Sequence, residues 1–330
     1  MHSQNKSIQR TVISTSLALL SLSILPSHAG TVAFNIDNDG VFGVDRDYTN
    51  GLYLSYFSNE FAYTPLLLTP LANTFGTFPN ASHKWGITVS QKMWTPEEIE
   101  EADPQPNQRP YAGVLSFQFD YANLSSYRTD RYGLLLGLTG ENSLADIAQS
   151  FIHSITGSTK PEGWEHQVED AFLVNLDFET HNVFQRSKWL WHEQELQSIS
   201  RIMVGNYRSE LATGAMWRWG AGLRDSVGAS RIAFEDSINP GMLRSKSRGY
   251  YFFAGIEGRY RFNDITIEGD VPDTVYPVTL QNLQASASFG AVWYNQRYGG
   301  SFTLSAKNSD FKEDKTNIYT IGSLNLFASF

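Results

Sequence analysis

The chain has 330 residues, with 25 Lys and Arg against 34 Asp and Glu, a formal charge of −9. That balance excludes nucleic acid as a partner, because phosphate neutralisation needs clustered cations. It contains no cysteine, so disulfide staples and thiolate metal sites are both unavailable to it.

In chain order, residues 1–29 read as a signal peptide. Lys6 and Arg10 precede a mostly apolar, uncharged run, Thr11 to Leu25, and Ser27-His28-Ala29 offers small residues for cleavage. The run is too short to be a spanning helix. Without the two basic residues of this leader the balance is 23 against 34, or −11, over a single expected domain of residues 30–330. No later stretch approaches eighteen consecutive apolar residues, yet aromatic residues make up 14% of the chain. Many aromatics without an apolar run are expected of a transmembrane β-barrel, whose strands alternate.

Alternation recurs along the chain. From Tyr250 to Phe262 the even positions are Tyr, Phe, Ala, Ile, Gly, Tyr and Phe, while the odd ones include Glu257, Arg259 and Arg261. From Leu115 to Tyr121 apolar residues alternate with Ser116, Gln118 and Asp120. Twelve strands are expected, near 31–37, 51–58, 84–94, 110–122, 127–139, 170–182, 189–206, 215–225, 249–262, 277–295, 298–308 and 316–330. The fold class is therefore all-β, a closed antiparallel barrel with short helices in its external loops. A soluble β-sandwich suits the charge-free aromatic faces less well. The terminal Phe330, ending an alternating strand, resembles the assembly signal of bacterial outer-membrane barrels.

Parity then groups the loops. With the mature N-terminus periplasmic, connections 38–50, 95–109 and 140–169 share the external rim. They hold nearly every unusual feature. Asp37 to Gly51 carries four Asp, two Asn and one Thr within fifteen positions, more than a hairpin turn requires. One helix is expected to begin at Thr95, with Pro96 and an acidic first turn, Glu97-Glu98-Ile99-Glu100-Glu101. Another is expected to begin at Ser143, with Asp146 completing a capping box. In it Leu144, Ile147, Ala148, Phe151 and Ile155 follow helical spacing, Gln149 and His153 share a different face, and Gly157 ends it. The connections 59–83 and 226–248 are too long for periplasmic turns. Residues 64–80, rich in Pro, Leu and Thr, read as an insertion; the pattern offers no reason for 226–248.

Of the histidines, His83, His181 and His192 fall on the expected inner side and His166 beside a strand start. His153 alone is presented by a helix on the external rim, where imidazole could act as a base near neutral pH. The first loop is not a calcium hand, because Gly40 and Val41 break the spacing, although an irregular oxygen site for a hard cation remains open. No H-E-x-x-H or G-x-S-x-G segment occurs.

The first loop ending in D-x-D-Y-T-N-G, the segment Arg109-Pro-Tyr-Ala-Gly113, and Gln149-x-x-x-His153 followed by Gly163-Trp164-x-x-Gln167 resemble the lipid A 3′-O-deacylase family of outer-membrane barrels. The resemblance covers roughly the first half of the mature chain. It implies a twelve-stranded barrel in the bacterial outer membrane, calcium as cofactor, lipid A or lipopolysaccharide as substrate, and an active site at the outer rim facing the outer leaflet. It places the catalytic histidine at His153, the Asn-Asp pair at Asn38 and Asp39, and the loop threonine at Thr49, with Asn38 and Asp39 near the cation. Gln149 could orient a ring or a water, and Trp164 could wall an acyl groove. In one respect the chain departs from the family: acidic residues fill the second loop where a cation is expected, so that Lys92, Arg109 or a second cation would have to substitute. A monomer is expected. The alternatives are another lipid-acting barrel, a phospholipase or acyltransferase, and a channel without chemistry.

Overall fold

A computed structural model describes residues 30–39, 47–62, 81–156, 161–316 and 318–330, excepting the side chains of 151, 152, 155 and 156. The leader 1–29, the insertion 64–80 and Gly157 lie outside the described residues.

Twelve strands form one closed antiparallel barrel in which neighbours in sequence are neighbours in space. They are β1 (Gly30–Asn38), β2 (Asp47–Ser58), β3 (Ser82–Thr95), β4 (Ala112–Leu124), β5 (Arg128–Thr139) and β6 (Phe172–Trp189). The second half comprises β7 (His192–Gly205), β8 (Arg208–Ala221), β9 (Gly249–Asp264), β10 (Leu283–Tyr294), β11 (Tyr298–Lys307) and β12 (Tyr319–Ser329). β1 pairs with β12 to close the sheet, and the backbones of Gly30 and Phe330 exchange two hydrogen bonds of 3.0 Å at the seam. Closure leaves no free strand edge.

The two faces of the wall differ as the alternation predicts. Ile256, Phe289, Leu283 and Leu326 are exposed on the outside, while Glu257, Arg259 and Arg261 are buried within. The lumen holds an ion-pair lattice. Arg131 meets Asp120 and Asp177, each at 2.7 Å; Arg201 meets Glu210 at 3.1 Å and Glu257 at 3.0 Å. An apolar exterior around a charged interior is a barrel built for a bilayer.

The connection 222–248 enters the lumen. Leu223, Ile232, Ile238 and Met242 pack among wall residues such as Phe57, Ile199, Met216 and Phe253. Arg231 pairs with Glu179 at 2.8 Å, and Glu235 with Arg208 at 2.6 Å and Lys92 at 3.1 Å. At its tip, the Asp236 amide donates to Asp37 Oδ2 at 3.0 Å. The segment is a plug, and its length is what it takes to reach across the barrel and return. Burial resists ionisation of Glu235, but Arg208 and Lys92 hold its carboxyl well below the usual range.

Several local expectations differ from the structure. β2 begins at Asp47, four residues early; Asp37, in β1 as expected, faces the lumen, where Tyr48 Oη donates to it at 3.0 Å. β6 runs on to Trp189, β8 begins at Arg208 and not near 215, and β10 begins at Leu283 and not near 277. No helix follows Thr95: residues 96–111 form turns, and Gln108 Oε1 accepts from the Glu97 amide at 2.7 Å. Four prolines (96, 104, 106, 110) and like charges three and four apart oppose a helix there. Ser143 ends a short 3₁₀ turn and donates to Gly140 O at 2.6 Å instead of capping with Asp146; helix α1 (Ala145–Thr156) starts after Leu144 turns left-handed at φ 57°. A second helix, α2 (Ile265–Glu268), follows β9.

Candidate active site

The ends of β1, β3 and β5 and the starts of β2, β4 and β6 share one rim, so the first three of its connections lie together. The opposite rim carries the short turns 125–127, 190–191 and 295–297 and both barrel termini.

The site is built on the outer face of the wall, just below this rim. Register aligns Asn38 with Asn50, Asn50 with Met93, and Met93 with Gly113. This row has the parity of outward-facing Phe34, Leu54, Val89 and Phe117. A bulge makes the row possible. Tyr48 opposes Trp94 and Asn50 opposes Met93, which leaves Thr49 as an extra residue. Tyr48 therefore faces inward onto Asp37 and the plug's Phe234, while Asn50 turns outward. Thr49 is tied to Thr95 by a 2.7 Å hydroxyl contact. Asn38 Nδ2 donates to Thr49 O at 3.4 Å, and buried Asp39 follows at the end of β1.

Helix α1 packs against β3 and β4. Ala145 buries against Met93, Tyr111 and Trp164. Gly113 admits it: a Cβ there would come within 3.0 Å of Ala145 Cβ. The helix turns its polar residues to the protein. Gln149 is 1% and His153 8% exposed, whereas Ile147 is 62% exposed. In water that arrangement would be inverted; beside a barrel wall it sets Leu144 and Ile147 outward, toward hydrocarbon, and shelters the imidazole. The side chains of Phe151 and Ile155 lie outside the described residues. Trp164 Nε1 donates to Gln149 Oε1 at 2.7 Å, and its ring lies 4.9 Å from that of Tyr111. Tyr111 Oη in turn donates to Ile99 O at 3.2 Å, and the Glu162 amide donates to the same oxygen at 2.9 Å, which joins the second connection to the third.

The structure thus gathers Asn38, Asp39 and Thr49 at one rim with Gln149, His153 and Trp164. It sends Lys92 and Arg109 elsewhere. Lys92 points into the lumen, bound to Glu235 and 3.4 Å from Tyr207 Oη. Arg109 closes the mouth of the barrel, paired with Asp47, 3.7 Å from Asp310 and 3.0 Å from Thr266 Oγ1. Burial opposes ionisation of Asp310, yet Lys307, Arg261 and Arg109 depress its carboxyl far below the ordinary range. Both cations proposed from sequence for substrate contact are committed to internal pairs.

Sequence reasoning missed Asn50 and Gln91. Both stand at outward positions, and Asn50 Oδ1 and Gln91 Oε1 are buried without hydrogen-bond partners among the described residues. Polar residues in the apolar phase of an alternating strand were the signal that could have found them. Among the described residues no three His, Cys, Asp or Glu cluster as metal ligands. A cation here would rely on amide and backbone oxygens beside one carboxylate, a hard-cation donor set.

The sequence profile of the family described as outer membrane protein LpxR matches residues 11–330. LpxR from Salmonella typhimurium superposes with a TM-score of 0.76 at 18% identity, covering 91% of this chain and 100% of that one. The β domain of the Bordetella autotransporter BrkA gives 0.42 at 10% identity, covering 92% and 99% of the two chains. The KdgM porin gives 0.36 at 8% identity, covering 91% and 99%. A search of curated protein sequences finds no match. With the profile aligned over nearly its whole length, the chain belongs to the LpxR family of outer-membrane proteins.

Proposed function

We propose that this protein is a lipid A 3′-O-deacylase, a hydrolase that removes ester-linked acyl chains from lipid A of the outer leaflet with His153 as general base. Family membership supports the reaction class. The observation that carries the reading is the burial of Gln149 and His153 on the face of α1 turned to β3 and β4, on the rim that also carries Asn38, Asp39 and Thr49. A site on the lipid side of a barrel is reached by a substrate already in the bilayer. Short turns and both barrel termini on the opposite rim support an external position for the site. The closed sheet, with no free edge, suits a monomer. The plugged lumen speaks against a channel.

In this mechanism His153 takes a proton from water as the water attacks the ester carbonyl. The acyl C–O bond then breaks, the imidazolium returns the proton to the departing sugar oxygen, and a fatty acid leaves. Gln149, pinned by Trp164, fixes the turn of helix from which His153 projects. Thr49 offers a hydroxyl at the bulge. The donor set fits calcium: Asp39 and Asn38 would hold it, and Asn50 Oδ1, buried and without a partner among the described residues, marks a place where oxygen lacks its complement. Calcium, when bound, supplies Lewis-acid polarisation of the ester carbonyl.

Mass spectrometry of lipid A from cells expressing the protein, with and without a chelator, tests the proposal. Loss of the 3′ acyl mass, abolished in His153→Ala and Asp39→Ala and by chelation, is expected. Unchanged lipid A with the wild type would sink the proposal, and phospholipid turnover or acyl gain would redirect it to another lipid enzyme.

A further inference from the structure

Asn50 is 3% exposed, yet its amide oxygen has no hydrogen-bond partner among the described residues. Leaving a buried acceptor unpaired costs about 1–3 kcal/mol. The residue sits where an outward-facing strand position is ordinarily apolar; Leu52 and Leu54 continue the same face. A local bulge re-aims the strand so that Asn50, opposite Asn38, takes that face. Directly opposed residues on one face have Cβ atoms about 4.5–5.5 Å apart, so both amide groups can reach one point between their strands. The Asn38 Nδ2 is committed to Thr49 O, so what Asn38 has left to offer there is its carbonyl oxygen. Two neutral oxygens beside the buried Asp39 carboxylate describe a small hard-cation site with a single negative charge.

We propose that Asn50 Oδ1 is a direct ligand of the divalent cation, alongside Asn38 and Asp39. The inference rests on the deacylase reading for the cation's presence and adds a donor to it. Its consequence is chemical. With one carboxylate, the site leaves most of the cation's charge uncompensated and available to an ester carbonyl, and it trades affinity for that polarising power.

The test uses the full-length protein folded in detergent, with closure of each variant's barrel checked by its heat-modifiable migration. Trp-sensitised terbium luminescence, competed by calcium, reads the affinity, and lipid A deacylation at graded calcium reads the half-saturating concentration. Asn50→Ala is expected to weaken calcium by about ten-fold or more. Asn50→Asp, which keeps an oxygen and adds charge, is expected to tighten it, and half-saturation should move in the same order. Wild-type calcium affinity in both variants overturns the assignment while the deacylase reading stands. A wild-type protein that deacylates but binds no calcium removes the cation and Asn50's role together. One that binds calcium and leaves lipid A intact overturns the deacylase reading alone.

Discussion

Substitution of Gly113 by alanine separates the placement of α1 from the integrity of the barrel. The new Cβ would come within 3.0 Å of Ala145 Cβ and crowd Ser143 Oγ. Carbon–carbon contacts settle near 3.5–4.0 Å, so the helix start must retreat from the wall by roughly 1 Å. Ala145 has no rotamer with which to yield. His153 lies two turns further along the same face, and a misplacement of about 1 Å costs a catalytic constellation on the order of 100-fold in rate. The barrel itself, held by ladders on both sides of β4, should lose little stability. The assay is the initial rate of 3′ deacylation by purified protein in mixed micelles, beside thermal unfolding of the same sample. Adding Ala145→Gly removes the opposing methyl and should recover much of the rate, at a helix cost of about 1 kcal/mol. An undiminished rate in Gly113→Ala would refute the idea that close packing of α1 on the wall positions the base.

Trp164→Phe strips Gln149 Oε1 of its donor while Gln149 Nε2 already lacks a partner among the described residues; a loss of about 1–3 kcal/mol in unfolding free energy and a lower turnover number should follow, with unaltered thermal and kinetic behaviour counting against the link. Reconstituted in planar bilayers, the wild type should give no steady conductance, because residues 222–248 pack into the lumen; a persistent porin-like current would contradict the plug. Burial, reinforced by Asp37 and opposed by Arg231, raises the Asp236 carboxyl from 3.8 to about 6. The folded state therefore holds this proton more tightly than the unfolded chain. The resulting stability is complete at acid pH and is lost as pH rises from about 4 to about 6, by about 1 kcal/mol for a partly water-exposed group. Asp236→Asn should flatten that part of the profile, which denaturation at graded pH would reveal; a superimposable wild-type profile would exclude Asp236 as its source.

Period-two alternation was legible because each wall residue meets either hydrocarbon or the lumen, a choice made by the residue's own chemistry. It delivered twelve strands, closure and the grouping of the first three connections. Ends were less legible. Asp47 to Asn50 joined a strand because Asp47 pairs with Arg109 and Tyr48 with Asp37, partners distant in sequence. The helix expected after Thr95 was misjudged on local propensity alone.

What the sequence by itself determined is the barrel, its phase and the polar residue types gathered in the first three connections, because these follow from local pattern and composition. What only the tertiary structure decided is direction. It turned α1 so that Gln149 and His153 face the wall, flipped Asn50 outward through one extra residue, and drew Lys92 and Arg109 into internal ion pairs. It also folded 222–248 back into the lumen. Each outcome depends on a partner far along the chain, and a buried charge or amide takes its orientation from that partner, which no local window contains.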